Sequence, residues 1–239
     1  GRVEVETSFY EGSFEVVEAH IPGSDPKAPE ILLVAHLCHP KPSANDNASG
    51  SASLLEVALI LKSLQEKGEI SWRRGIRFIW VPEMTGTMCY LSHLKNGERR
   101  FVSGLNLDMV GENQALTNST LLLIGTPDSA PGFPDALLSY LVDVLFREGK
   151  GFSGNAHYPL FRVSETPFMG GSDHFILSDP SIGIPTPMLN QWPDKFYHTT
   201  LDTVDKTDPD MLRRISILSS VYAAIVSSIG AKDEIDWLA

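Results

Sequence analysis

Short apolar segments alternate with longer segments of helical periodicity along most of this chain. Residues 31–35 form an uninterrupted apolar run, which is typical of a strand buried on both faces. Further strands are predicted at 76–81, 104–109 and 121–124, with a short one within 182–189. Apolar residues at helical spacing predict helices at 50–67, 86–95, 134–148 and 208–229. Strands that alternate with helices predict an α/β layer fold with a largely parallel central sheet.

Two further segments have different patterns. Residues 2–9 and 14–20 alternate apolar and polar side chains around a Glu-Gly-Ser turn at 11–13, which predicts an antiparallel hairpin. Residues 150–172 are rich in Gly, Pro and aromatic residues without a clear period, so a loop is predicted there.

The composition favours one domain and argues against several classes of partner. With 239 residues, 42% of them hydrophobic, the chain can bury one sizeable core, so a single domain over 1–239 is expected. A formal net charge of −11 without any basic run argues against nucleic-acid binding. No apolar run approaches membrane-spanning length, so no membrane partner is expected, and the sequence does not indicate an oligomeric state.

The cysteines and the N-terminal residues bear on location. Cys38 and Cys89 are too few for a disulfide framework, and no apolar signal core precedes them, so a cytoplasmic location is expected. The sequence starts without Met and directly in a strand pattern, which predicts that the chain is the core of a longer protein.

Five residues able to bind metal or move protons follow the predicted strands. They are His36 after 31–35, Asp46 in the loop that follows it, Glu83 after 76–81, Asp108 at the end of 104–109, and His198 after 182–189. In open α/β sheets ligands bind outside the carboxyl ends of the strands, so these side chains are expected to meet. Imidazole and carboxylate groups suit Zn²⁺ with an open position for water, and a bridging carboxylate can hold two ions. A carboxylate that binds no metal is needed to move protons.

Six short motifs occur in a fixed order from residue 36 to residue 203. They are H-L-C-H-P at 36–40, A-N-D-N-A-S-G at 44–50, P-E-M-T-G-T at 82–87, N-L-D-M-V-G at 106–111, G-S-D-H at 171–174 and Y-H-T-T-L-D-T at 197–203. Together they resemble the signature of the co-catalytic zinc exopeptidases, a superfamily that includes bacterial leucyl aminopeptidases, glutamate carboxypeptidases and glutaminyl cyclases. The H-x-C-H-P and A-N-D-N-x-S-G strings look most like an aminopeptidase-like branch in which this unit is part of a longer protein.

The resemblance implies a fold and a set of roles. The fold is a three-layer α/β/α arrangement around a mixed sheet of about eight strands. One zinc ion is implied at His36, Asp46 and Asp108, with Asp46 bridging to a second ion at His198. Glu83 is implied as the general base and acid.

Two positions depart from the family pattern. Cys38 replaces the Asp that orients the first imidazole, and Met84 replaces a Glu that binds the second metal. One tightly held zinc and a weaker second site are therefore expected. His39 has either a structural role before Pro40 or that of a substitute ligand, and Glu83 is a second candidate substitute.

Residues near these motifs leave alternatives open. Asp173 and His174 are candidate substrate contacts or substitute ligands, with Ser172 as the N-cap of a short helix. The loop 191–197 either lines a pocket for an apolar side chain or is a packed surface loop.

The leading functional hypothesis is an aminopeptidase acting on peptides. A zinc amidohydrolase or carboxypeptidase acting on small N-acyl substrates shares the same chemistry. A non-catalytic module binding peptide or sugar is compatible with the changes at Cys38 and Met84. A glutaminyl-type cyclotransferase is disfavoured because Met84 replaces one of its zinc ligands.

Overall fold

The computed structural model describes residues 1–94, 101–129, 132–146, 149–150, 153, 157–158 and 161–230. Its strands are β1 Val17–Ile21, β2 Glu30–His36, β3 Ile76–Val81, β4 Phe101–Leu107, β5 Thr120–Ile124, β6 Gly149–Lys150, β7 His157–Tyr158, β8 Val163–Thr166 and β9 Met188–Trp192. Its helices are α1 Gly50–Glu66, α2 Thr85–His93, α3 Gln114–Thr117, α4 Phe133–Phe146, α5 Asp173–Leu177 and α6 Pro209–Ser228. Within these described ranges, every helix is too short or too polar to cross a membrane.

Seven of the described strands form one central sheet in the order β1-β3-β2-β4-β9-β5-β8. Strand β2 runs parallel to both β3 and β4, β4 runs parallel to β9, and β5 runs parallel to β8. The pairs β1–β3 and β5–β9 are antiparallel. The mixed, largely parallel sheet is confirmed, with seven strands in the described part of the chain where about eight were expected.

Strand β2 shows why helices cover both faces of the sheet. Ile31 and Leu33 belong to the large core cluster that includes residues of α1, α4 and α6. Leu32 and Val34 point the other way, into a smaller cluster with Leu177 of α5. Because successive side chains of a strand alternate between faces, an unbroken apolar run requires cover on both. The three-layer arrangement follows.

Three predictions of secondary structure were wrong. Residues 1–16 form no strand and are almost wholly exposed, so the N-terminal hairpin is absent; only β1 forms, on the edge of β3. The alternation was real, but a strand also needs a partner edge, which depends on residues distant in sequence. The predicted loop 150–172 contains the last residue of β6 and all of β7 and β8, and its residues 151–152, 154–156 and 159–160 lie outside the described ranges. The strand predicted within 182–189 occupies Met188–Trp192 instead.

Candidate metal centre

The carboxyl ends of β2, β3 and β4 lie side by side, because these strands are parallel neighbours. His36, the last residue of β2, pairs in register with Val81 at the end of β3. Asp108 directly follows β4, and Glu83 lies two residues beyond β3. The rule that ligands gather at this edge therefore brings the predicted residues into one region.

Among the described residues, two groups of side chains, termed the ligand clusters, could each hold a metal ion; the first comprises His36, Asp46 and Asp108. The Nε2 atom of His36 lies 3.1 Å from Asp46 Oδ1 and 3.3 Å from Asp108 Oδ1. All three side chains are buried. Two ligand atoms on one tetrahedral zinc ion lie about 3.3–3.4 Å apart, given metal–ligand bonds of about 2.0–2.1 Å. The spacing of this cluster matches that value.

A main-chain carbonyl orients the imidazole of His36. Its Nδ1 lies 3.1 Å from the carbonyl oxygen of Cys38, so an N–H at Nδ1 donates to that oxygen and leaves Nε2 facing the carboxylates. The Cys38 sulfur is farther away, at 3.9 Å from Nδ1. A carbonyl is one of the usual partners of a metal-binding histidine. The backbone of Cys38 thus performs the orienting role of the missing Asp.

His39, Asp46 and His198 form the second ligand cluster. Asp46 Oδ2 lies 3.0 Å from His198 Nε2 and 3.6 Å from His39 Nε2. The two oxygens of Asp46 therefore face different clusters, which is the arrangement a bridging carboxylate needs. This cluster is more open than the first, since 59% of the His198 side chain is exposed.

Asp202 holds the loop that carries Asp46. Its carboxylate accepts the backbone N–H groups of Asn45 at 2.8 Å and of Asp46 at 3.0 Å, together with the hydroxyl of Ser43. Asp202 is itself buried. Sequence reasoning assigned it no role, although it lies in the same motif as His198 and Asp is a frequent acceptor for loop N–H groups.

Asn47 joins the ends of two strands to α1. Its side-chain N–H groups donate to the carbonyls of His36 and Leu107, and its Oδ1 accepts the N–H groups of Gly50 and Met109. Every hydrogen-bonding atom of the amide is used, so the backbone on either side of the first cluster is fixed. This role also escaped sequence reasoning, because it depends on contacts up to 62 residues away.

The electrostatics of the site favour a cation. Burial alone would lower the pKa of His36, but the adjacent carboxylates of Asp108 and Asp46 outweigh it and raise the pKa to about 12. Asp108 Oδ1 is buried and receives no well-formed hydrogen bond from the described residues. Two buried carboxylates that converge on one imidazole nitrogen offer the donor set and the negative charge that a divalent ion requires. The residues present therefore fit zinc.

Glu83 lines the same cavity as His36, Asp46, Asp108 and His198 but belongs to neither cluster. Burial raises its pKa to about 7, with His36 opposing and Asp108 contributing to the rise. Its backbone N–H donates to the sulfur of Cys38 at 3.2 Å. A partly buried carboxyl group beside the ligands, and outside both ligand clusters, has the position a proton-transfer group needs.

Asp173 supports the turn that carries Glu83. One oxygen, Oδ1, accepts the N–H of Met84 at 2.8 Å and the hydroxyl of Thr87 at 2.6 Å. Its side chain is fully buried and belongs to neither cluster. The same holds for His174, whose Nε2 donates to the carbonyl of Met169 at 2.8 Å. The structure thus brings both residues under the site, in supporting positions.

Ser172 does not make the capping bond that was predicted for it. It occupies the N-cap position of α5, but its side chain forms no hydrogen bond to the helix. The hydroxyl instead accepts from the Asn106 amide at 2.8 Å. Competition from a buried amide on β4 therefore explains the difference.

A cavity of about 250 Å³ opens above the clusters. Its apolar lining comes from the side chains of Ile124, Met169, Met188, Trp192 and Tyr197. The Tyr197 ring stacks on His198 with centroids 3.7 Å apart, and Trp192 meets Tyr197 edge-on at 5.1 Å. The loop 191–197 thus lines a pocket, the first of its two predicted alternatives.

Comparisons with known proteins agree with this arrangement. The model of peptidase family M28 matches residues 16–223. Aminopeptidase YwaD of Bacillus subtilis is 28% identical over 214 residues, which cover 83% of this chain and 42% of that protein. A Clostridium acetobutylicum protein, named for polysaccharide biosynthesis and an aminopeptidase-like domain, is 28% identical over 212 residues, covering 88% of this chain and 42% of that protein. The chain therefore spans less than half the length of these curated relatives.

A solved structure shows the same fold. It is the zinc aminopeptidase BSAP from Bacillus subtilis, with a TM-score of 0.70 and 24% identity over 89% of this chain and 50% of that one. The family match runs through both ligand clusters and Glu83, so the resemblance drawn from the six motifs is confirmed. The chain belongs to peptidase family M28.

Proposed function

We propose that this chain is a zinc-dependent aminopeptidase that hydrolyses the first peptide bond of its substrate. One observation carries the proposal. The two oxygens of Asp46 face two different ligand clusters, while Glu83 lies at the same cavity and belongs to neither. Membership of a peptidase family supports peptide-bond hydrolysis, and the aminopeptidase relatives support the exopeptidase specificity.

The metal ligands and Glu83 would serve different steps of the hydrolysis. Zinc bound at these clusters would supply Lewis acidity and lower the pKa of a water molecule. Glu83 takes the proton of the attacking water on a carboxylate oxygen and passes it to the leaving amine. Cys38 and Asp173 accept the backbone N–H groups of Glu83 and Met84 and so hold the turn that carries this carboxylate.

The cavity favours an apolar N-terminal residue. Met169, Met188 and Ile124 form an apolar wall near the clusters, and a cavity of about 250 Å³ admits one side chain with its backbone. A free α-amino nitrogen has a lone pair that a bound metal ion would accept. The nitrogen of an acylated N-terminus shares its lone pair with the acyl group and is a poor ligand, which separates this proposal from an amidohydrolase acting on N-acyl substrates.

The test compares substrates with free and blocked amines. Metal-free protein, confirmed by elemental analysis, is assayed with leucyl, methionyl and glutamyl 4-nitroanilides and with N-acetyl-leucine 4-nitroanilide, before and after zinc is added. Turnover of the leucyl and methionyl compounds that requires zinc is expected. Turnover that survives in metal-free protein, or that prefers the acetylated compound, contradicts the proposal.

Glu83→Gln is the matched control because it keeps the size and polarity of the side chain. It should bind zinc like the parent and lose roughly 10²–10⁴-fold in kcat, the usual contribution of a positioned acid–base group. If both proteins bind zinc and peptide but neither turns over, the non-catalytic binding module is favoured instead.

A further inference from the structure

We propose that His39 is the third protein ligand of the second metal ion, in the place left by Met84. The inference rests on the zinc binding proposed above and concerns residues of this chain that depart from the family pattern. Because Met84 replaces the Glu of the family pattern, a second ion would have only Asp46 and His198 as protein ligands. A catalytic zinc site usually has three protein ligands, so one would be missing.

The position of His39 completes a three-atom set. One potential ligand atom from each of His39, Asp46 and His198 lies within 4.8 Å of the other two. The distances to Asp46 Oδ2 are 3.6 Å from His39 and 3.0 Å from His198, which bracket the spacing of about 3.3–3.4 Å for ligands of one tetrahedral zinc. The two imidazole rings meet edge to face, with centroids 5.6 Å apart.

The other nitrogen of His39 is engaged in a way that leaves Nε2 available. Nδ1 lies 2.7 Å from the carbonyl of Lys41, a distance that requires an N–H donor, whereas the Lys41 N–H is farther, at 3.4 Å. His36 has the same arrangement, with its Nδ1 on the carbonyl two residues ahead. Both histidines are thus held in the tautomer whose Nε2 binds metal.

A purely structural role for His39 would explain the position of its Nδ1 atom but not the direction of its Nε2 atom. A turn stabilised through Lys41 would be satisfied by Nδ1 alone and would not direct Nε2 toward a buried carboxylate. The thioether of Met84 is a poor zinc ligand, so Met84 does not compete with His39 for that place.

The substitution changes the chemistry of the second site. The first cluster offers one nitrogen and two carboxylate oxygens, whereas the second offers two nitrogens and one oxygen. Imidazole favours Zn²⁺, Co²⁺ and Ni²⁺ over Mn²⁺ and Mg²⁺, so the second site should select borderline transition-metal ions.

Zinc titration calorimetry of the metal-free full chain tests the inference. The parent is expected to bind two zinc ions, and His39→Ala should retain one while the other weakens by more than the roughly 10–100-fold typical of losing a supporting residue. The matched control is His93→Ala, which removes an exposed histidine from α2 and should leave both sites unchanged. Cobalt absorption spectra report the same two sites independently of calorimetry.

A rescue variant guards against misfolding of the single mutant. Adding Met84→Glu to His39→Ala restores a third ligand and should return the second ion. Equal zinc binding by His39→Ala and the parent overturns the inference, as does a parent that binds only one zinc. Binding that depends on His39 in a protein without peptidase activity supports the inference while contradicting the proposed function, so the two can fail separately.

Discussion

Asp202 accepts the backbone N–H of Asp46 at 3.0 Å, although the two residues lie 156 positions apart. This bond fixes the loop whose carboxylate serves both ligand clusters. Asp202→Asn places an N–H₂ group among the N–H donors of Asn45 and Asp46, so the loop should shift. Zinc affinity is expected to fall roughly 10–100-fold, as for other supporting residues of metal sites, and competition with a fluorescent chelator measures it. Asp205→Asn, at an exposed neighbouring carboxylate, should leave the affinity unchanged; an unchanged affinity in Asp202→Asn contradicts the assigned role.

Zinc binding is expected to tolerate loss of the Cys38 sulfur. The carbonyl of Cys38, and not its thiol, bonds to His36 Nδ1, so Cys38→Ser should keep zinc affinity close to that of the parent. Isothermal titration with zinc checks this. A loss in the roughly 10–100-fold range known for orienting groups would show that the thiol itself is required.

Two substitutions at Asp173 separate geometry from charge. Asp173→Asn keeps an oxygen to accept from Met84 and Thr87, so kcat should stay near that of the parent. Asp173→Ala removes both bonds and lets the Glu83 turn move, for which a loss of about 100-fold in kcat is expected. Steady-state kinetics at saturating zinc, with metal content measured in parallel, gives the comparison. Equal losses in the two variants would mean that the negative charge is required.

The Glu112 carboxyl group should make the free energy of unfolding depend on pH, and the substitution Glu112→Gln should remove that dependence. Burial, followed by the interaction with Asp194, raises the pKa of the Glu112 carboxyl from 4.5 to about 9. The folded state therefore binds an extra proton between these pH values, and the free energy of unfolding falls as pH rises through that range. Glu112→Gln keeps a donor toward Asp194 and lacks the titration. The free energy of unfolding of Glu112→Gln minus that of the parent, measured by urea unfolding, should be roughly 1–3 kcal/mol larger at about pH 8.5 than at about pH 5.

The exposed Glu56 of α1 supplies the control for that experiment. Glu56→Gln should show the same small difference from the parent at both pH values. If the curves of Glu112→Gln and the parent run parallel, the Glu112 carboxyl ionises in the folded protein as it does in water, and the raised pKa is wrong.

The sequence predicted those parts of the molecule that depend on neighbouring residues. The run 31–35 specified a strand buried on both faces, and the strand-end rule placed His36 and Asp108 together. Strand β8 escaped prediction because Val163–Thr166 is short and half exposed, so its side chains show no clear pattern. The N-terminal hairpin was wrong because pairing depended on the distant edge of β3.

Site residues divide in the same way. His36, Asp46 and His198 stood out because their residue types are those of metal ligands. The role of Asp202 rests on hydrogen bonds to another loop, and the direction of His39 Nε2 depends on the bond that its other nitrogen makes to Lys41. Neither is encoded in spacing along the chain. Both emerge only when side-chain orientation is fixed.

Asp46 and Asp202 are 156 residues apart in the sequence. The bond between them can therefore form only late in synthesis, after most of the chain has been made. A growing chain that has emerged as far as β5 already contains His36, Asp46 and Asp108. It still lacks His198 and the carboxylate that anchors the Asp46 loop, both of which follow β9. Translation products that stop before β9 therefore carry six of the seven strands of the described sheet and all three residues of the first ligand cluster, but lack His198 and the Asp202 anchor of the Asp46 loop.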